Sequence, residues 1–233
     1  MREIQLAYET ENFTDLSIIP YFPDKDDLPI IKEHPELRNG EKLRILIPEN
    51  IVVTRIRALA EKIEAEVSPN PDDFVFGAIL EGGRYLLTRV REFLPPDLNS
   101  RIPTEYLDIK SRLATKTGNY EIKKLPRPEI VNGKIYRVFE GVADSGRTIE
   151  ITQAVLSQSP YYLRELRVAL LIDKKDAHEG VPLARCVDYC LLAMGREWMV
   201  GCGPDTNGRF RNLPYIALYE NEDRILISGV KRD

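Results

Sequence analysis

Two apolar runs constrain this chain more than any other feature. Phe74 to Leu80 reads FVFGAIL, and Leu166 to Ile172 reads LRVALLI. A strand covered on both faces reads as a near-continuous apolar run, and such strands belong to parallel sheets wrapped by helices. The segments around them alternate between strand-like and helix-like. Leu43 to Ile47 is a short apolar run. From Pro48 and Glu49 a helical stretch follows, with Ile51, Val52, Ile56, Leu59, Ala60, Ile63 and Val67 on one face and its charges opposite. Pro69 to Asp73 breaks it, Gly82-Gly83 ends FVFGAIL, and Arg84 to Leu94 reads as helix. Tyr106 to Ile109, Ile135 to Phe139, Val187 to Leu192 and Tyr215 to Tyr219 are further strand candidates, with a helix from about Gly146 to Ser157. Strands and helices alternating at this spacing predict an α/β fold with a parallel sheet.

The ends have another character. Residues 1–40 are rich in Pro, Asp and Glu, and residues 193–233 carry short strands and turns, so both ends are expected to cap one edge of the sheet. Between Arg112 and Gly133 lies a polar stretch without a period. Loops that long inside compact domains are uncommon and often functional.

With 233 residues, 43% apolar and 30% charged, the chain can bury a sizeable core as a single domain. Its 33 basic and 37 acidic residues are well mixed, so nothing points to nucleic acid as a partner. No apolar run approaches the roughly 18 residues of a spanning helix. The acidic start MREIQLAYETENFTD lacks a signal peptide's apolar stretch, which makes the cytoplasm the expected compartment. Cys186, Cys190 and Cys202 form no disulfide framework. The pair Cys186 and Cys190, in CVDYCLLAM, reads as buried strand rather than as a zinc pair.

The strongest chemical signal is YRVFEGVADSGRTIE, Tyr136 to Glu150. A strand ends near Glu140, and the turn Asp144-Ser145-Gly146-Arg147-Thr148 leads into a helix. Parallel sheets bind ligands at the carboxyl ends of their strands. A helix N-terminus offers unpaired N–H groups and a positive dipole end to a phosphate. The same residues also suit an ordinary helix capped by Asp144 or Ser145, and the pattern alone fits both readings. It is neither a Walker A loop nor a dinucleotide-binding fingerprint.

That segment resembles the phosphoribosyl diphosphate loop of type I phosphoribosyltransferases, most closely those acting on hypoxanthine and guanine. The resemblance continues in order along the chain. Leu80-Glu81-Gly82-Gly83 is similar to their pyrophosphate turn, and Ile109-Lys110-Ser111 to the start of their mobile loop. Leu170 to Lys174 is similar to the strand that delivers a purine-contacting lysine. Val187-Asp188-Tyr189, followed by Trp198 to Asp205, resembles their base-stacking and metal-contacting strand and turn. Arg211-Asn212-Leu213-Pro214-Tyr215 resembles their closing signature.

The resemblance implies one phosphoribosyltransferase domain over residues 1–233, with a Rossmann-like core at about 41–192 and a small hood built from residues 1–40 and 193–233. It implies Mg²⁺-dependent transfer of 5-phosphoribosyl to a 6-oxopurine in purine salvage, giving a nucleoside monophosphate and pyrophosphate, by a homodimer or homotetramer. Asp144 is the implied acid–base group. Glu140 contacts the ribose, and Ser145, Gly146, Arg147 and Thr148 cradle the 5-phosphate. Glu81, Gly82, Gly83, Ser111, Arg112 and Arg211 meet pyrophosphate. Lys174, Trp198 and Met199 meet the purine, and Asp205 the metal.

Three positions depart from the family pattern. Glu140-Gly141 stands where two adjacent acids are usual, Glu81 where lysine is usual, and Arg112 where tyrosine is typical. Gly141 is either a lost ribose contact or a residue held at positive φ. The losses leave open a catalytically degenerate member that binds a nucleotide or phosphoribosyl diphosphate as a regulator.

Overall fold

The computed structural model describes residues 16, 30–111, 120–178 and 184–221. A six-stranded sheet runs in the order β5-β4-β3-β6-β7-β8. Its strands are β3 (Phe74–Ile79), β4 (Thr104–Ser111), β5 (Tyr120–Lys124), β6 (Ile135–Ala143), β7 (Glu165–Lys174) and β8 (Val187–Met194). All pair in parallel except β5, which lies antiparallel on the edge beside β4. The central strands match the uninterrupted apolar runs: every residue of β3 is buried, as are Val168 to Lys174 of β7.

Helices cover both faces. Helix α1 (Glu49–Val67) and α2 (Gly82–Phe93) pack on one side. The apolar face of α1 is buried at Ile51, Val52, Ile56, Leu59, Ala60, Ile63 and Val67, each large side chain contributing roughly 1.5–3 kcal/mol on burial. After α2 come two short helices, α3 (Pro96–Arg101) and α4 (Pro128–Val131), and then α5 (Arg147–Leu156). Ile149, Ile151 and Leu156 of α5 join the core on the opposite side, with Val138 and Leu170 of the sheet. Two buried arginines are tied down. Arg55 donates to the Leu191 carbonyl at 3.0 Å, and Arg137 reaches Glu66 at 2.6 Å and Asp188 at 2.9 Å.

A second, antiparallel sheet in the order β1-β2-β10-β9 forms the hood, from β1 (Ile30–Ile31), β2 (Glu41–Ile47), β9 (Met199–Val200) and β10 (Ile216–Asn221). Two expectations change here. The run Leu43 to Ile47 was expected to open the core from residue 41. It pairs instead with β10, from Ile47↔Ile216 to Glu41↔Asn221, so the boundary between core and hood falls at Pro48. Both neighbours of β2 are short hood strands, so it never reaches the parallel sheet. The polar stretch from Arg112 to Gly133 is also not all loop, because β5 and α4 lie within it. The edge strand β5 escaped notice because an edge strand with both faces wet carries no apolar run; four of its five residues are exposed.

Among the described residues, no helix is long and apolar enough to cross a membrane.

Candidate active site

The carboxyl ends of β3, β4, β6 and β7 meet at one edge of the sheet, below the hood. After β6, the chain turns through Asp144, Ser145 and Gly146 into α5. Gly146 has φ +72°, a left-handed conformation that glycine adopts without steric cost. No side chain caps α5, so the capped-helix reading of Asp144 or Ser145 does not hold. The helical ladder begins with Ile149 and Glu150 donating to the Gly146 carbonyl. The amides of residues 145–147 precede it, as at any helix start. Ser145 and Arg147 are exposed and Thr148 is half-buried.

Beside this turn, the buried Lys174 ends β7. Its Nζ lies 3.4 Å from Asp144 Oδ1 and 5.7 Å from the centre of the Trp198 ring. Trp198 is 47% exposed and is therefore not a core aromatic. Its neighbour Met199 is buried in β9, paired with Leu218. Asp173 is buried and meets His178 Nε2 at 2.5 Å, which anchors the end of β7.

On the other side of the turn is a cleft of about 310 Å³ lined by Leu80, Glu81, Gly82, Asp108, Lys110, Glu140, Val142, Pro204, Asp205 and Arg211. Arg211 forms an ion pair with Asp205 Oδ2 at 3.0 Å and donates to the Gly203 carbonyl at 3.0 Å. Glu81 leans towards Arg84, 3.7 Å away, and both side chains are more than half exposed. The acid that replaces the usual lysine is thus turned to solvent and a cation, which weakens its repulsion of an anion. Ser111 closes β4, and Arg112 lies outside the described residues.

Glu140 sits on the floor of this cleft, against Gly82. Burial raises its carboxyl to about 8, opposed by hydrogen bonds from the Gly141 and Val142 amides. The folded-state value lies above the ordinary 4.5, so protonation favours the fold. The stabilising contribution is complete below about pH 4.5 and is lost as pH rises through 8. The unliganded protein should therefore melt at a lower temperature at pH 8.5 than at pH 5.5, and Glu140→Gln should flatten that slope. Equal slopes for the two proteins would remove Glu140 as its source.

Backbone packing holds the cleft in shape. A Cβ at Gly83 would stand 2.0 Å from the Phe139 carbonyl oxygen, and one at Gly141 2.8 Å from the Gly82 oxygen. Gly203, at φ +115°, packs on the same turn, where an added Cβ would stand 2.3 Å from the Gly82 oxygen. Neither Gly83 nor Gly141 has a positive φ, so close approach rather than backbone conformation requires glycine at 141.

No protein-family model matches the chain. Curated relatives do. A bifunctional TilS/HprT protein of Listeria innocua is 28% identical over 193 residues, covering 80% of this chain and 27% of that protein, so the chain spans about a quarter of that relative's length. The hypoxanthine-guanine-xanthine phosphoribosyltransferase of Tritrichomonas foetus is 29% identical over 178 residues, covering 75% of this chain and 90% of that one. In fold, the chain is similar to a hypoxanthine phosphoribosyltransferase from Trypanosoma cruzi, a point mutant complexed with the product IMP. There the TM-score is 0.66 at 18% identity, over 84% of this chain and all of that one. The chain has the type I phosphoribosyltransferase fold. It is a distant homologue of the hypoxanthine and hypoxanthine-guanine phosphoribosyltransferases.

Within the phosphoribosyltransferase fold, the residues singled out from the sequence fall into two groups around the β6–α5 turn. Asp144, Lys174 and Trp198 gather on one side; Glu81, Gly82, Glu140, Asp205 and Arg211 line the cleft on the other. Val187-Asp188-Tyr189 does not join them. It opens β8, at the amino ends of the strands, where Asp188 pairs with Arg137 and Tyr189 donates to Glu66. Sequence reasoning missed Asp108. Asp108 could have been found as a charged residue near the carboxyl end of a strand in a parallel sheet, where ligands bind.

Proposed function

We propose that this chain transfers a 5-phosphoribosyl group from phosphoribosyl diphosphate to a 6-oxopurine, hypoxanthine, guanine or xanthine. The products would be the nucleoside monophosphate and pyrophosphate. One observation carries the reading: a buried lysine, an exposed indole and a carboxylate converge beside an uncapped helix N-terminus, next to a separate anion-sized cleft.

Each part has a chemical task. The turn from Ser145 to Thr148 would hold the 5-phosphate through amides, hydroxyls and the helix dipole. Trp198 offers the purine a flat apolar face. Lys174 donates to an exocyclic oxygen, which an amino group cannot replace. The base must displace the contact between Lys174 and Asp144, so each group then meets it from its own side. In the reaction the bond from the anomeric carbon to pyrophosphate oxygen breaks and a bond to purine nitrogen forms. Asp144 shares or accepts the purine's imidazole proton as that happens. The sugar passes through a cationic, oxocarbenium-like state, which nearby carboxyl groups stabilise. Arg211 steadies the departing pyrophosphate with a planar fork.

The cleft suits Mg²⁺ in donor chemistry. Its lining offers carboxylate oxygens and no thiol or imidazole. No three His, Cys, Asp or Glu side chains among the described residues form a metal-holding group by themselves, so the remaining ligands would be substrate oxygens and water, as Mg²⁺ prefers. Asp205 would hold the ion, which when bound neutralises charge on the pyrophosphate. A regulator that binds a nucleotide or phosphoribosyl diphosphate would rest on the missing acid at Gly141, but binding alone would not need the acid–base group Asp144.

Millimolar IMP, GMP or XMP should raise the melting temperature. A ligand at 100 times its dissociation constant adds roughly 2.7 kcal/mol, about 5–10 °C for a chain of this size. AMP should give much less, since it offers Lys174 no acceptor. A melt unmoved by all three 6-oxopurine nucleotides would sink the reading. Pyrophosphate release with each base then separates the enzyme from the regulator.

A further inference from the structure

We propose that Asp108, supplied by β4, is a second carboxylate for the metal-bound pyrophosphate end of the donor. The proposal rests on the donor-site reading above.

Four observations bring Asp108 to the cleft. The Leu80 amide donates to the Leu107 carbonyl at 2.8 Å, which places residue 108 beside the Leu80-Glu81-Gly82 turn. The pairing of β4 with β5 shifts register between Asp108 and Ile109, and such irregularities re-aim side chains near sites. Asp108 lines the same cleft as Glu140, Asp205 and Arg211. Its Oδ1 is buried and accepts no hydrogen bond. Neither cation of the cleft answers it: Arg211 is engaged by Asp205 and by the Gly203 carbonyl, and Lys110, which also lines the cleft, makes no hydrogen bond to Asp108 Oδ1.

A buried carboxylate oxygen without a partner is costly to keep. The cost makes sense if a ligand arriving in the cleft supplies the partner. That ligand brings anionic oxygens next to Asp108 and Asp205, an arrangement that is repulsive unless a cation stands between them. Mg²⁺ bound by one or two carboxylates together with substrate phosphates meets that requirement.

Asp108→Asn keeps the shape and removes the charge. Two binding measurements on the full chain test it without turnover. In the first, pyrophosphate is titrated calorimetrically with Mn²⁺ or Mg²⁺ present; the variant should bind it about 10–100-fold more weakly. In the second, IMP and GMP are titrated without metal; their affinities should stay within about twofold of wild type. Metal-dependent pyrophosphate binding that is unchanged in the variant would overturn the proposal. So would an equal loss in both titrations, which would mark Asp108 as structural. If the wild type binds neither the nucleotides nor pyrophosphate with metal, the donor-site reading itself falls and takes this one with it.

Discussion

Asp144→Asn should cut turnover by about 10²–10⁴-fold, the usual worth of a positioned acid–base group, while IMP and GMP still raise the melting temperature. Asparagine preserves the size of the side chain, and the turn does not depend on its charge, because no side chain caps α5. Half of the Asp144 side chain is exposed, and its contact with Lys174 is long, at 3.4 Å. Lys174, however, is buried, and taking the charge from its partner leaves that ammonium less compensated, so the unliganded melting temperature should fall. The substitution does release Lys174 from its carboxylate partner. A ligand bringing an oxygen to Lys174 no longer competes with Asp144, and nucleotide affinity should hold or rise slightly. Loss of turnover with retained binding is the signature of a group that acts in the transition state. Turnover within about threefold of wild type would take Asp144 out of the mechanism. Parallel loss of turnover and nucleotide binding would make it a binding residue.

The parallel sheet was legible because its strands are buried on both faces, and FVFGAIL and LRVALLI can hardly be anything else. The amphipathic face of α1 was legible by its period. The β6–α5 turn stood out because Asp-Ser-Gly between an apolar strand and a helix leaves a compositional trace, though only the structure shows that the helix is uncapped. Partners fixed by tertiary pairing leave none. Nothing local distinguishes Leu43 to Ile47 as a hood strand from a core strand, since its antiparallel neighbour β10 lies about 170 residues away. Asp108 was passed over for a similar reason. Its meaning depends on the Leu80 turn of the adjacent strand, a contact that no spacing within TEYLDIKS reveals. The family resemblance found Glu140-Gly141 as a departure, but a resemblance compares residues, not the space around them. Only the packing shows why the second acid is missing.

Restoring that acid should therefore harm the protein. Gly141→Asp should lower the melting temperature by several degrees and should not tighten phosphoribosyl diphosphate. A Cβ at 141 meets the oxygen, carbon and Cα of Gly82 at 2.8, 2.9 and 3.2 Å. These are backbone atoms and cannot rotate aside. Nor can the turn retreat as a body, since Gly83 lies against the Phe139 carbonyl and Gly203 closes on the Gly82 oxygen from the hood side. Overpacking of this kind costs typically 1–3 kcal/mol, about 2–10 °C here. Gly141→Ala separates size from charge. Alanine should already produce most of the loss, and aspartate should add repulsion from its neighbour Glu140 as that group ionises above about pH 8. Gly83→Ala should be worse than either, because its Cβ would stand only 2.0 Å from the Phe139 oxygen. An unchanged melting temperature for Gly141→Asp with a tighter donor would show that the turn yields easily. The missing acid would then be a ribose contact simply lost.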